Sequence, residues 1–233
     1  MKLVRLLANL GYGSRREVQR LIRAGAITDD TGVVLRQSDV VPHDRIRCRG
    51  EALDPPSPLV IALNKPGDYT CSSEDPGRTI YVLLPPRFAR RNPGLNPIGR
   101  LDKDTTGLLL MSDDGKLLHK IIHPKSGCSK TYQVHLDRAL KGHEGELFAA
   151  GTLLLNSETR PLLPAGLEVL GEKEARITVR EGRYHQVRRM FAAAGNHVLD
   201  LRRISIGGLQ IPSDLEEGCW RVLDAEELKA IFV

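Results

Sequence analysis

The prolines in Asp54-Pro55-Pro56-Ser57-Pro58 constrain this chain more than any other feature. Each lacks the backbone donor that a helix or a strand ladder needs, and each restrains the residue before it. No regular element can run through the segment, so 55–58 reads as a stiff, extended linker. It divides the 233 residues into a small unit, 1–54, and a larger one, 59–233. The two stretches also differ in pattern.

In the small unit Leu3, Leu6, Leu7 and Leu10 recur at helical spacing, and Gly11-Tyr12-Gly13 ends that helix. Ser14-Arg15-Arg16-Glu17 has the form of a capping box, in which hydroxyl and carboxylate satisfy each other's backbone N–H groups. Val18, Leu21 and Ile22 then make one face of a second helix, with Arg16, Gln19, Arg20 and Arg23 opposite. Strand-like segments follow at 26–28, 32–35 and 45–48. Residues 1–23 hold six basic side chains (Lys2, Arg5, Arg15, Arg16, Arg20, Arg23) and one acid, Glu17. That excess of +5 equals the net charge of the whole chain. Such concentration suits a polyanion, although a merely solvated helix face would look the same.

The larger unit alternates strand-like and helix-like stretches. Leu59–Leu63 is an apolar strand, and 132–136 and 175–179 alternate as half-solvated antiparallel strands do. Residues 186–194 read as a helix that Gly195 closes, and 226–231 as a terminal helix. The pattern predicts an α+β fold, with a mainly antiparallel sheet flanked by helices. No stretch approaches the ~18 apolar residues of a membrane span, and Arg5 interrupts the first apolar run, so a cytoplasmic protein without an export signal is expected. Cys48, Cys71, Cys128 and Cys219 are dispersed, and the seven histidines lack metal spacing, so reduced thiols and no metal are expected. Aromatics are 4% of the chain, too few for a stacking platform that reads single strands.

Chemistry concentrates in Gly99-Arg100-Leu101-Asp102-Lys103-Asp104-Thr105-Thr106-Gly107-Leu108-Leu109-Leu110. The apolar run to Met111 reads as a buried strand entered from a polar turn, with Asp102 at its mouth. Three further strings stand out: Leu63-Asn64-Lys65-Pro66-Gly67, Lys130-Thr131-Tyr132, and Glu181 to Met190 through Arg183, Tyr184, His185, Gln186 and Arg188. Singly, each has a plain explanation. Asp102 could cap a turn or pair with Arg100, Lys65-Pro66-Gly67 is a common loop exit, and Tyr132 could simply pack. His185 could be a satisfied core histidine, and Arg188 and Arg189 a solvated face.

Together and in this order, the strings resemble the RsuA-type branch of the pseudouridine synthases. Two short helices followed by small strands resemble the S4 RNA-binding domain. The resemblance implies a cofactor-free isomerase that converts uridine to pseudouridine in ribosomal RNA, and nothing in the chain demands a second copy, so a monomer is expected. It implies that Asp102 is the catalytic residue, as nucleophile or base, that Tyr132 lies against the target base as proton acceptor, and that Arg188 pairs with Asp102. That pair would keep the carboxylate ionised in a dry pocket. Arg100 would fill the gap left by the extruded base. Arg15, Arg16, Arg20, Arg23, Lys65, Arg183 and His185 would contact RNA.

Gly182-Arg183-Tyr184-His185-Gln186-Val187 resembles the small-subunit enzymes, which implies a 16S rRNA target, uridine 516, on free RNA or a partly assembled subunit. Leu10 to Arg16 looks more like relatives that act on 23S rRNA, which leaves that target as an alternative. A noncatalytic rRNA-binding or ribosome-assembly protein is the alternative of another class.

Overall fold

The structure, a computed structural model, describes residues 2–72, 77–123 and 126–233. These fall into two compact units. The first comprises the N-terminal sixty residues with 84–96 and 112–115, and the second holds the rest.

In the first unit, α1 (Leu3–Asn9) and α2 (Arg15–Arg23) lie over a three-stranded sheet of β1 (Ile27–Asp29), β2 (Ile46–Cys48) and β3 (Glu51–Ala52), antiparallel in that order. The capping box forms as expected: Glu17 N–H donates to Ser14 Oγ at 3.3 Å, and Ser14 N–H donates to Glu17 Oε2 at 2.7 Å. Leu3, Leu7, Leu10, Val18, Ile22, Ile27 and Ile46 make the core. The expected strand at 32–35 shrinks to one bridge, Thr28 with Val34. The cause is local, because Asp29 Oδ1 accepts from the N–H groups of Thr31 and Val33 and turns the chain back.

The proline segment is tied down by charge within this unit. Arg87 donates to both carboxylate oxygens of Asp54. The buried Arg91 donates to Pro55 O at 3.0 Å and to Asp113 Oδ2 at 3.2 Å. Asp113 Oδ1 in turn accepts from Leu59 N–H at 2.7 Å and from Ser57 Oγ at 3.1 Å. Segments 84–96 and 112–115 thus supply the partners that the prolines cannot give one another.

The large sheet is built from β4 (Val60–Lys65), β5 (Asn96–Ile98), β6 (Thr106–Ser112), β7 (Lys130–Leu136), β8 (Gly166–Gly171), β9 (Glu174–Val179), β10 (Val198–Ile206), β11 (Leu209–Gln210) and β12 (Trp220–Val222). Its order is β12-β4-β6-β10-β7-β9-β8, with β5 beside β6 and β11 beside β10. The pairing of β10 with β6 is parallel, and that of β10 with β7 antiparallel. Helices α3 (Gly115–Ile122), α4 (Glu144–Ala149), α5 (Gln186–Ala193) and α6 (Ala225–Ala230) complete the chain. The core of this unit joins Phe148 of α4 and Val187, Met190 and Phe191 of α5 to Val134, Leu136, Ala175, Ile177 and Leu201 of the sheet. Phe148 and Phe191 meet edge to face at 5.2 Å.

Gly107 explains how β6 can lie against β10. Its φ is +99°, and a Cβ there would stand 2.2 Å from Arg203 O. Only glycine fits that approach, which sets Gly107 opposite Arg203.

Candidate active site

Asp102 lies in a tight turn before β6, where Thr105 N–H donates to Asp102 O at 3.1 Å. Four side chains from three parts of the chain hold this turn. Lys65, at the end of β4, is 0% exposed, and its ammonium donates to the carbonyls of Pro66, Lys103 and Thr105 at 2.8–3.0 Å. Burial pulls the Lys65 pKa below the usual lysine value, against the opposing pull of Cys71, Asp104, Asp102 and Asp68. The buried Cys71 brackets Leu101: Leu101 N–H donates to Sγ, and the thiol donates to Leu101 O, both at 3.4 Å. Arg188 of α5 reaches Asp104 Oδ2 at 2.8 Å and donates to Val198 O at 2.9 Å. His185 Nε2 stands 3.4 Å from Asp102 Oδ1.

The expected Asp102–Arg188 pair is therefore corrected. Arg188 takes the acid at the far end of the turn, Asp104, while Asp102 faces His185. The reason is geometric. The turn bond separates the two acids, and the guanidinium, anchored to β10 by Val198 O, meets the nearer one. His185 is no core histidine: its side chain is 39% exposed and that of Asp102 is 30%. It takes a left-handed backbone, φ +48°, as the cap residue that starts α5.

Tyr132 projects from β7 and packs against the core with its hydroxyl near Arg203. Arg203, which the sequence reading passed over, is its cross-strand partner. This guanidinium is 2% exposed. It donates to Leu108 O at 2.7 Å and to Tyr132 Oη at 3.5 Å, and one nitrogen, Nη2, is buried with no partner among the described residues. A buried, under-satisfied cation beside a site tyrosine has the character of functional machinery. Its signal in the sequence was Arg202-Arg203 set among Leu201, Ile204 and Ile206. A pair of arginines reads as solvated, and so hid both the strand and the buried charge.

Two more expectations are corrected. Lys65 cannot reach RNA, because its ammonium is wholly enclosed by backbone carbonyls. Arg183 is likewise spent within the fold, on Glu181, Glu158, Arg160 O and Pro161 O. Arg189 joins it on Glu158 and also donates to Asn156 O and Tyr184 O. Hydrogen bonds from Arg189 and then Arg183 hold the Glu158 carboxyl below the usual carboxylate range. Arg100 is exposed beside the turn. In the first unit Arg15, Arg16, Arg20 and Arg23 are all exposed on α2, and none makes an ion pair with a described residue. Among the described residues no cluster of His, Cys, Asp and Glu could hold a metal, and no helix is long and apolar enough to cross a membrane.

Comparison with known proteins shows the family to which the chain belongs. Residues 59–193 match the family described as RNA pseudouridylate synthase, and residues 1–46 match the S4 domain. The chain is 40% identical to ribosomal small subunit pseudouridine synthase A of Escherichia coli K12, over 99% of this chain and 100% of that one. It is 39% identical to the protein of the same name from Vibrio parahaemolyticus, over 100% of both. A crystal structure of a pseudouridylate synthase superposes with a TM-score of 0.71 at 35% identity, covering 99% of each chain.

Proposed function

From the premise that this chain belongs to the RNA pseudouridylate synthase family and carries an S4 domain, we propose that it isomerises one uridine of the small-subunit ribosomal RNA. Uridine 516 of 16S rRNA is the position proposed. The single observation that carries the reading is the turn 101–105. A half-exposed carboxylate is held there by a buried lysine, a buried thiol, and a histidine and an arginine from the start of α5. A binding module has no need to fix one acid so closely. A catalyst does, because small displacements of a reacting group are costly in rate.

The reaction breaks the N1–C1′ bond of the uridine, turns the uracil, and joins C5 to C1′. The proton on C5 leaves and N1 gains one, so nothing is oxidised and no water is consumed. Asp102 is the acid assigned to the sugar, in a turn that needs no rearrangement before reaction. Tyr132 is assigned to the C5 proton, with Arg203 supplying positive charge at its oxygen. Arg188 and Lys65 act as positioning residues through Asp104 and the backbone of the turn. The target base must leave its stack to react, at a cost of a few kcal/mol. Arg100, exposed beside Asp102, is assigned to the vacated gap, and the α2 arginines to phosphates that offset the cost.

The test is release of tritium from C5 of uridine-labelled rRNA. The wild-type chain should release label from 16S transcripts or partly assembled small subunits at one site. Asp102→Asn should release none, while RNA binding stays within about tenfold, since phosphate contacts dominate affinity. Release from 23S rRNA alone would overturn the target, and no release from any rRNA would favour the noncatalytic alternative.

A further inference from the structure

Beside the acid stands a surface that the assignments above leave unused. Among the described residues Tyr184 is the most exposed aromatic side chain, at 72%. Its ring stacks on His185, with centroids 3.9 Å apart and planes inclined by 17°. His185 itself reaches Asp102 at 3.4 Å. The imidazole of this flat π pair thus meets the catalytic turn through its Nε2, and the tyrosine stacked on it is open to solvent.

The turn that presents this ring is unusually well fixed. Arg183, the residue before Tyr184, spends its guanidinium on two carboxylates and two carbonyls of 158–161 and 181. Arg189 donates to Tyr184 O itself and anchors to Glu158 and Asn156 O. The backbone N–H of Arg189 also donates to His185 O at 3.0 Å. The backbone on both sides of the ring is clamped while the ring packs into no core. Exposing an aromatic ring on a rigid support gives up apolar burial, yet it preorganises a flat contact at little further entropic cost.

We propose that Tyr184, backed by His185, is a stacking site for an unpaired nucleobase that neighbours the target uridine in the RNA. The reacting uracil belongs to Tyr132, so this is a second base, held at the rim of the site. The scarcity of aromatics excludes an extended stacking platform, and one stacked pair at the mouth is the form this chain has room for. Every nucleobase offers a π face, so the contact adds affinity and orientation without requiring a particular base.

The proposal rests on the pseudouridine synthase reading, and its test separates the two. Tritium release from labelled 16S transcript is followed with Tyr184→Phe, Tyr184→Leu and Tyr184→Ala. Tyr184→Leu keeps apolar bulk but has no plane, so both it and Tyr184→Ala should raise KM about tenfold. Tyr184→Phe should stay near wild type, and the single-turnover rate at saturating RNA should hold within about threefold in all three. In Tyr184→Trp, the new indole emission should be quenched when the same transcript is added, an outcome that does not depend on turnover. Wild-type KM in Tyr184→Leu together with an unquenched indole would overturn the stacking site. Quenching without any tritium release from the wild-type chain would instead overturn the reaction and leave the stacking site standing.

Discussion

Cys71 sits beneath the backbone of Leu101, one residue before the acid, and uses its sulfur as both acceptor and donor. Burial raises its thiol pKa above the usual cysteine value, even though Lys65, Arg203 and Arg100 favour the thiolate. It therefore stays a neutral thiol at physiological pH and keeps the S–H that Leu101 O needs. Cys71→Ala should lower the single-turnover rate on the order of tenfold with little change in KM, because the acid loses its register while RNA contacts remain. Cys71→Ser, which can both donate and accept, should recover part of the rate. A raised KM at unchanged rate would show that the thiol serves binding instead. At this scale the sequence offered motifs rather than roles. Asp102, Tyr132 and His185 each had a plain explanation singly, and what set them apart was the order of their strings, which resembles that of the pseudouridine synthases. The partner of Asp102 was not legible, since the choice between Asp102 and Asp104 for Arg188 depends on a turn bond that spacing does not reveal. The enclosure of Lys65 was equally hidden, because a lysine after a strand looks the same whether it meets solvent or three carbonyls.

The elements that carry the site are held by a close approach of two backbones. Gly107 in β6 lies opposite Arg203 in β10, and that register places Arg203 between Gly107 and Tyr132 of β7. Gly107→Ala would set a methyl 2.2 Å from Arg203 O at a φ of +99°. Strain at such a φ costs about 1–3 kcal/mol by itself, and the overlap with backbone adds to it, because neither strand can retreat without breaking its ladder. Gly142 provides the comparison: its φ is +89°, but no atom lies within 4 Å of where its Cβ would be. Urea denaturation should show Gly142→Ala losing only the strain, and Gly107→Ala losing clearly more, with activity falling as Arg203 shifts. Equal losses in the two variants would mean that β6 can move aside. Strands β4, β6, β7 and β9 and helices α2 and α5 were legible from period and caps. The strand β10 was not, although it pairs with three others, because its buried Arg203 and register irregularities break the apolar alternation that marks a strand. Its pairing with β6 is parallel, within the mainly antiparallel sheet that was expected.

At the scale of the whole molecule, charge is distributed unevenly, with the net +5 matched by the excess within residues 1–23. On α2 the capping box spends Glu17 on the backbone of Ser14, so the helix's acid is engaged at its N-terminus. Arg15, Arg16, Arg20 and Arg23 stay exposed and make no ion pair with a described residue, which leaves them open to phosphates. Contacts of that kind release condensed counterions, so their number is read from the salt dependence of affinity rather than from affinity at one salt concentration. Each phosphate contact contributes about 0.7–0.9 to the slope of log K against log salt. Replacing all four arginines by glutamine should flatten that slope by up to about 3 and weaken binding most at low salt. The single-turnover rate at saturating RNA should persist, because the acid, the tyrosine and the positioning residues all lie in the other unit. Filter-binding titrations across a salt series, paired with tritium release, measure both quantities on one preparation. An unchanged slope would show that α2 faces solvent alone, and a lost rate at saturation would show that the first unit takes part in chemistry as well as in docking.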